Sequence, residues 1–370
     1  MKRLRCVIMR GGTSKGVFFH ENELPQDTEA RIQVLLRVMG SPDKRQIDGL
    51  GGADILTSKV VIIAPPSRDD AHLDYLFGQV AITEASIDFS SLCGNLSAAV
   101  GPFGIDEGLV RATGELTKVR IYCPAVNRYL QAEVPTRDGK ARYDGSYSIA
   151  GVPGTAARIT LDFSDTAGLL TGNLLPTGNV RDQLDLPDYG RVEITVVDAG
   201  TVVVFVKARE LGLTGNEVPQ KLESDKRLIK NLEKLRLQVA EWVGLTGKSL
   251  FMPMVSLVST PMDYPNFFNG EIIKGTDVHL AAKVYAAGML HKAYPVTGAV
   301  ATGAAALVEG STVNECLNPY KELNEELILG HFSGTLPVKV AGKQERDGFK
   351  LTQASIYRTA RRIMEGLVYL

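Results

Sequence analysis

Two stretches of the chain carry residues able to do acid–base chemistry. The first is Ser91-Leu92-Cys93-Gly94-Asn95-Leu96-Ser97-Ala98-Ala99-Val100, a cysteine followed by Gly-Asn and a run of small apolar residues. It reads as a helix N-terminus bearing a thiol. Unpaired amides of a first helical turn, with the positive end of the helix dipole, stabilise negative charge, so a cysteine there is able to act as a thiolate. The same amides can hold a carboxylate. The second stretch is Asp48-Gly49-Leu50-Gly51-Gly52-Ala53-Asp54-Ile55-Leu56-Thr57-Ser58-Lys59-Val60-Val61-Ile62-Ile63, a glycine-rich loop feeding a strand that contains one lysine. Burial among such apolar neighbours favours the neutral amine, which suits Lys59 to proton exchange near neutral pH.

A third stretch, Arg10-Gly11-Gly12-Thr13-Ser14-Lys15-Gly16, lies between a strand over residues 4–9 and a short strand over 17–19. A phosphate loop of the Walker type requires Gly-Lys-Ser/Thr opening a helix; here the lysine is followed by glycine and a strand, so the order is wrong for an NTPase. The reading adopted is a turn whose amides and Ser14 face an anionic ligand.

The elements that must position these residues follow from periodicity and turn chemistry. Residues 28–39 form a helix, with Ile32, Leu35, Leu36 and Met39 on one stripe and Gly40 closing it. Strands are expected at 73–82, 119–123, 129–134 and 158–163, the Cys93 helix ends near Gly101-Pro102, and Arg137-Asp138-Gly139 is a turn. After Asp185-Leu186-Pro187-Asp188-Tyr189-Gly190 come strands at 191–197 and 202–206 and an amphipathic helix over 226–243, with Leu228, Leu232, Leu235, Val239 and Trp242 on its core face. His291-Lys292-Ala293-Tyr294-Pro295-Val296-Thr297-Gly298 then opens a second small-residue helix. Both small-residue helices end near a Glu-Gly pair, Glu107-Gly108 and Glu309-Gly310. The expected fold is therefore α+β, with two similar domains, 1–187 and 188–370, each a sheet wrapped around a central helix whose N-terminus faces an interdomain cleft.

Length and composition agree. A chain of 370 residues is long for a single core. Its 41 basic and 42 acidic residues nearly cancel and form no long basic block, which gives no support to nucleic acid or a membrane surface as partner. No apolar run reaches the ~18 residues of a membrane span and no signal-peptide core is present, so a cytoplasmic location is expected. Cys6, Cys93, Cys123 and Cys316 form no C-x-x-C pair, and the histidines at 20, 72, 279, 291 and 331 are dispersed, so neither a disulfide framework nor a metal site is expected.

The segments already quoted around residues 10–16, 48–54 and 291–298, with Thr57-Ser58-Lys59, Cys93-Gly94-Asn95, Leu175-Pro176-Thr177-Gly178-Asn179 and Tyr357-Arg358-Thr359-Ala360-Arg361-Arg362, resemble the PrpF family. That family is similar in fold to diaminopimelate epimerase and includes 2-methylaconitate isomerase, methylitaconate Δ-isomerase and 4-oxalomesaconate tautomerase. The resemblance runs from Arg5 to Tyr369. It implies a cofactor-free isomerase that moves a proton along an allylic system beside carboxylates, with Lys59 and Cys93 as the acid–base pair. It further assigns carboxylate binding to Thr13, Ser14, Ser58, Gly94, Asn95, Asn179, Thr297 and Gly298, with Arg10, His291 and Arg358 as additional contacts. The implied partner is a small unsaturated polycarboxylate such as 4-oxalomesaconate, 2-methylaconitate or aconitate, and a homodimer is allowed. Epimerases of this fold carry a cysteine at both helix starts, whereas Thr297-Gly298-Ala299 stands at the second one here, which favours an isomerase. The competing readings are an amino-acid racemase or epimerase, a binding protein without chemistry, and an isomerase of the phenazine-biosynthesis type.

Overall fold

Residues Arg3–Gly11 (β1) and Ser14–His20 (β2) pair antiparallel across a two-residue turn at Gly12 and Thr13, so the turn is tighter than a loop over 10–16. In this computed structural model, which describes residues 3–247, 252–286, 288–324, 326–345 and 348–370, that hairpin starts the first of two units. The first unit comprises Met1–Leu161 with Tyr357–Leu370, and the second Asp162–Ile356. Within the first, β2 runs parallel to β3 (Lys59–Ala64), which pairs antiparallel with β4 (Leu73–Val80). On its edge away from β3, β4 takes the short β5 (Ile87–Asp88) at one end and runs parallel to β6 (Leu116–Cys123) at the other. Strand β6 continues antiparallel into β7 (Arg128–Arg137), which turns through Asp138 and Gly139, both at positive φ, into β8 (Lys140–Ala141); β9 (Ile159–Asp162) follows.

Helix α1 (Thr28–Met39) is capped by the Asp27 carboxylate, which accepts from the Ala30 N–H, and closed by Gly40 at φ +74°. Its Leu35, Leu36, Val38 and Met39 pack with Leu4, Cys6, Val17, Phe19, Val60 and Ile62 of the sheet. Helix α2 (Gly94–Asp106) is different in kind, buried at every residue from Gly94 to Ile105. Small side chains permit this: a Cβ on Gly101 would fall 2.7 Å from the Val134 side chain, and one on Gly104 2.5 Å from Leu73. The helix runs one turn beyond its expected end at Pro102. Proline cannot supply the N–H owed to the Ala98 carbonyl, but burial on all sides outweighs that lost bond.

The second unit opens with β10 (Asp182–Leu186) and β11 (Gly190–Asp198), an antiparallel pair. Asp185 to Gly190, expected to be the boundary at 187/188, is therefore part of a hairpin, with Gly190 at φ +71°; the boundary lies at Asp162 instead. Strand β11 pairs antiparallel with β12 (Val202–Lys207), which runs parallel to β13 (Met254–Ser259). Helix α3 (Pro219–Ser224) leads into α4 (Lys226–Trp242), whose Leu228, Leu232, Leu235 and Val239 enter the core against these strands. Trp242, expected on that face, is 44% exposed; it is the last residue of the helix, one turn past Val239. After the small β14 (Tyr264–Pro265) and β15 (Ile272–Ile273) pair, β16 (Leu280–Ala286) lies antiparallel to β13, takes the short β17 (Met289–Leu290), and runs parallel to β18 (Glu326–His331) across the buried helix α5 (Val296–Leu307). Strands β19 (Gly334–Glu345) and β20 (Gly348–Arg358), the latter as far as Ile356, complete the unit. Each unit thus repeats one order: antiparallel hairpin, parallel strand, antiparallel strand, two-residue strand, buried helix, parallel strand, antiparallel strand. The chain then returns as β21 (Ala360–Tyr369), paired along its length with β1. Among the described residues no helix is long and apolar enough to cross a membrane.

One buried carboxylate ties that returning strand down. Glu107, just after α2, accepts from Arg5 of β1 (2.6 Å), His20 of β2 (2.8 Å) and Arg362 of β21 (2.6 Å). Burial alone would raise its carboxyl pKa, but these three donors outweigh it and hold the group at about 2. A depressed carboxyl contributes stability that is present above its ordinary 4.5 and lost as the pH falls towards 2. Glu107→Gln is expected to lower unfolding free energy by about 3 kcal/mol at pH 7. In urea denaturation the gap from wild type should narrow steadily below pH 4.5; a gap independent of pH would contradict the assignment.

Candidate active site

Lys59 is the first residue of β3 and only 7% exposed. Its cross-strand partner on β4 is Gln79, whose Oε1 accepts from Lys59 Nζ at 2.5 Å. The amine also lies 5.0 Å from the centroid of Phe77. Burial lowers the Lys59 pKa; the neighbouring Cys93 and Asp54 oppose the shift without cancelling it. Among the described residues no carboxylate forms an ion pair with it.

Cys93 is the N-cap of α2, as the sequence predicts. Its Sγ accepts from the Leu96 N–H at 3.5 Å, and its carbonyl accepts from the Ser97 N–H and hydroxyl and from the buried Tyr75 hydroxyl at 3.3 Å. These bonds occupy the amides of Leu96 and Ser97. By helix geometry the amides of Gly94 and Asn95 have no acceptor within the helix, so they remain as donors at the dipole's positive end.

The glycines of the β1–β2 turn exist because that turn is pressed against the start of α2. A Cβ on Gly11 would lie 2.6 Å from the Asn95 carbonyl oxygen, and one on Gly12, at φ +52°, 2.1 Å from Asn95 Oδ1. Asn95 Oδ1 accepts from the Thr13 N–H (3.3 Å) and from Arg358 Nε (3.2 Å), so one amide oxygen joins turn, helix and the end of β20. Arg358 is 5% exposed; it also donates to the Tyr357 carbonyl, and burial draws its pKa down to about 10. Arg10 donates to the carbonyls of Gly12 and Thr359 and to the Thr359 hydroxyl. Among the described residues neither arginine has a carboxylate partner. The hydroxyl oxygens of Thr13 and Ser14 are sealed from solvent and lack a hydrogen-bond partner. Buried cations without anions and buried hydroxyls without partners mark a place where an anionic ligand supplies what the protein does not.

Thr13, Ser14, Arg10, Lys59, Cys93, Gly94, Asn95 and Arg358 are therefore all in the first unit. Ser58 is there too, fully buried, but its hydroxyl donates to Gln46 Oε1 at 2.7 Å, and that oxygen also accepts from the Ala53 N–H. Gln46, at φ +46° and 1% exposed, thus fills the glycine-rich loop; nothing in the sequence marks it. Gln79 was also missed, although a glutamine inside the apolar β4, in register with Lys59, is a detectable signal once the pairing is drawn. In the second unit, Asn179 bonds Asp182 at 2.7 Å, His291 Nδ1 accepts from the Ala293 N–H, and the Gly298 carbonyl accepts from Thr302. Helix α5 starts at Val296 with Pro295 as its cap, so Thr297 lies two residues inside the helix and is 4% exposed.

The repeated topology lets the two units be compared position by position. The cross-strand series Lys59, Gln79, Asp88 of the first corresponds to Val255, Tyr285, Leu290 of the second. Ser14 corresponds to Val202, and the cap Cys93 to Pro295. Amine, hydroxyl and thiol are thus replaced by groups that cannot exchange a proton, and the amide by a phenol that donates to Glu233.

Comparison with known proteins gives a consistent picture. Residues 1–370 match the family described as PrpF protein. The chain is 44% identical to 3-methylitaconate isomerase of Eubacterium barkeri, over 100% of this chain and 97% of that protein. It is 40% identical to 4-oxalomesaconate tautomerase of Pseudomonas putida, over 99% and 96%. A crystal structure of methylitaconate-delta-isomerase superposes with a TM-score of 0.83 at 44% identity, covering 100% of this chain and 96% of the other. A hydroxyproline epimerase from Agrobacterium vitis, 12% identical over 99% and 92% with a TM-score of 0.62, shares the fold, which places the chain in the epimerase-like class expected from its sequence.

Asn95→Ala should leave both the Thr13 N–H and Arg358 Nε without an acceptor. The expected cost is about 1–3 kcal/mol, read as a lower urea midpoint at unchanged m-value. An unaltered midpoint would mean that this oxygen does not hold the junction together.

Proposed function

The chain belongs to the PrpF family and is an isomerase, and from that premise we propose that it catalyses, without a cofactor, an allylic 1,3-proton shift in an unsaturated di- or tricarboxylate. The substrate class is that of 4-oxalomesaconate, 2-methylaconitate or aconitate, and the acids named for its relatives belong to it. The observation that carries the reading is the pairing of a buried amine with a helix-capping thiol in one unit that also buries an unneutralised arginine.

In the proposed reaction one of Lys59 and Cys93 removes a proton from the carbon flanked by the double bond and a carboxylate. The C–H electrons enter the conjugated system, the double bond re-forms one position along, and the pair returns a proton to the far carbon. Charge in the dienolate intermediate spreads onto a carboxylate. The Gly94 and Asn95 amides, the Arg358 guanidinium and the hydroxyls of Thr13 and Ser14 are fixed donors suited to that charge. A bound carboxylate would also give Arg358 its missing counter-ion. Against a racemase stands the composition of the second repeat, where Pro295 stands at the position of the Cys93 cap and Val255 at that of Lys59, so the second helix start carries no thiol for a two-cysteine mechanism.

Incubating a panel of unsaturated polycarboxylates in D₂O tests the reading: NMR should show deuterium entering the allylic carbon and the double bond migrating in at least one acid. Inert acids together with racemised amino acids would sink it. Lys59→Met and Cys93→Ser should each lower turnover by on the order of 10³-fold or more while remaining folded, and the double variant should lose far less than the product of the two. Near-normal turnover in either would remove that residue from the mechanism. Chelators should leave the rate unchanged, since among the described residues no three His, Cys, Asp or Glu side chains converge as metal ligands; activity lost to EDTA and restored by a metal would contradict this.

A further inference from the structure

We propose that Gln79 is a positioning residue for the proton transfer, its side-chain oxygen aiming the Lys59 amine and setting the pH at which that amine changes charge. The inference rests on the role proposed for Lys59. Its first support is geometric. Backbone register places the two side chains opposite each other at the start of β3, and both are 7% exposed. The orientation of the amide is fixed by its other end, because Gln79 Nε2 donates to the carbonyls of Ser58 (3.0 Å) and Ile55 (3.3 Å). Only the oxygen is left to face Nζ, at 2.5 Å.

The chemistry follows from what an amide oxygen can do. It accepts a hydrogen bond and cannot donate one, so an N–H of Lys59 points at it whether the amine is charged or neutral. The lone pair of the neutral amine is then turned away from Gln79. An amide also stabilises an ammonium without neutralising it. A carboxylate at this position would hold the lysine permanently charged, and an apolar side chain would leave burial unopposed from this side. The other groups acting on the amine are Cys93 at the cap of α2, Asp54 in the loop before β3 and the ring of Phe77 on β4; no carboxylate among the described residues is at ion-pair distance. Gln79, the side chain hydrogen-bonded to Nζ, is thus a neighbour whose replacement tunes the amine while leaving Cys93 in place.

A purely structural role, closing residues 55–58 onto β4, would make Gln79→Glu and Gln79→Met behave alike, since both lose the donors to Ile55 and Ser58. The positioning role predicts opposite shifts. In protein carrying ¹³Cε-lysine, with the Lys59 resonance identified by its loss in Lys59→Met, Gln79→Glu should raise the titration midpoint by about one pH unit or more, and Gln79→Met should lower it. The limb of the kcat–pH profile due to Lys59 should move in the same directions, whether the residue acts as base or acid. Midpoints that stay at the wild-type value, or that shift in one direction in both folded variants, would overturn the proposal, as would midpoints that move while the kcat profile does not. Opposite midpoint shifts in an enzyme that turns over no unsaturated acid would uphold the Gln79–Lys59 coupling and defeat the isomerase reading instead.

Discussion

Two basic side chains buried with no carboxylate at ion-pair distance among the described residues, Lys59 and Arg358, are the constraint around which the first unit is arranged. Burying a charge without a partner is among the costliest things a fold can do, and the usual remedy is a carboxylate at ion-pair distance. The protein has carboxylates available and uses them elsewhere: Glu107 gathers Arg5, His20 and Arg362 in the same unit. Around Lys59 and Arg358 it supplies neutral amide oxygens from Gln79 and Asn95. These orient the two basic groups without forming an ion pair with either. The glycines of the β1–β2 turn, the cap at Cys93 and the bonding of the loop before β3 are the packing conditions under which that arrangement can persist.

Much of this was legible in the chain. Apolar periodicity with clear caps placed α1 and α4, and the small-residue runs marked α2 and α5 as buried helices, because only short side chains let strands approach a helix from every side. Cys93 as a helix cap and Lys59 as a buried strand residue followed from local sequence. What escaped the sequence depended on tertiary context. Pro102 sits inside α2 because surrounding strands compensate for its missing bond, and Pro187 sits in a hairpin turn although composition alone reads like a linker. The return of β21 to β1 is a pairing across almost the full chain length, which no local pattern encodes. Gln46 is invisible for the same reason, and Gln79 becomes a signal only when β3 and β4 are paired, since the meaning of each comes from what it faces.

The two units share a strand order but not a chemistry. Where the first has Lys59, Gln79, Ser14 and Cys93, the second has Val255, Tyr285, Val202 and Pro295. The second unit's equivalent strand positions are filled for packing: Val255 and Tyr285 belong to its hydrophobic core along with the face of α4. A duplicated fold therefore offers two buried helix starts, and one of them carries the thiol and amine proposed as the acid–base pair. The similarity in fold to an epimerase and the family membership as an isomerase are compatible for this reason, because the scaffold is common while the reacting groups are set position by position.

The central claim is that Arg358 is kept buried and unneutralised in order to meet a carboxylate of the ligand. Calorimetric titration of a slowly converted unsaturated tricarboxylate into wild type and Arg358→Met, with urea denaturation of both proteins without ligand, tests it most directly. The account predicts that the variant binds at least about 100-fold more weakly, the cost of losing a buried charge-assisted pair, yet unfolds at a higher urea concentration because an uncompensated charge has left the interior. Equal affinity in the two proteins, or a variant that is less stable and binds as tightly as wild type, would contradict it.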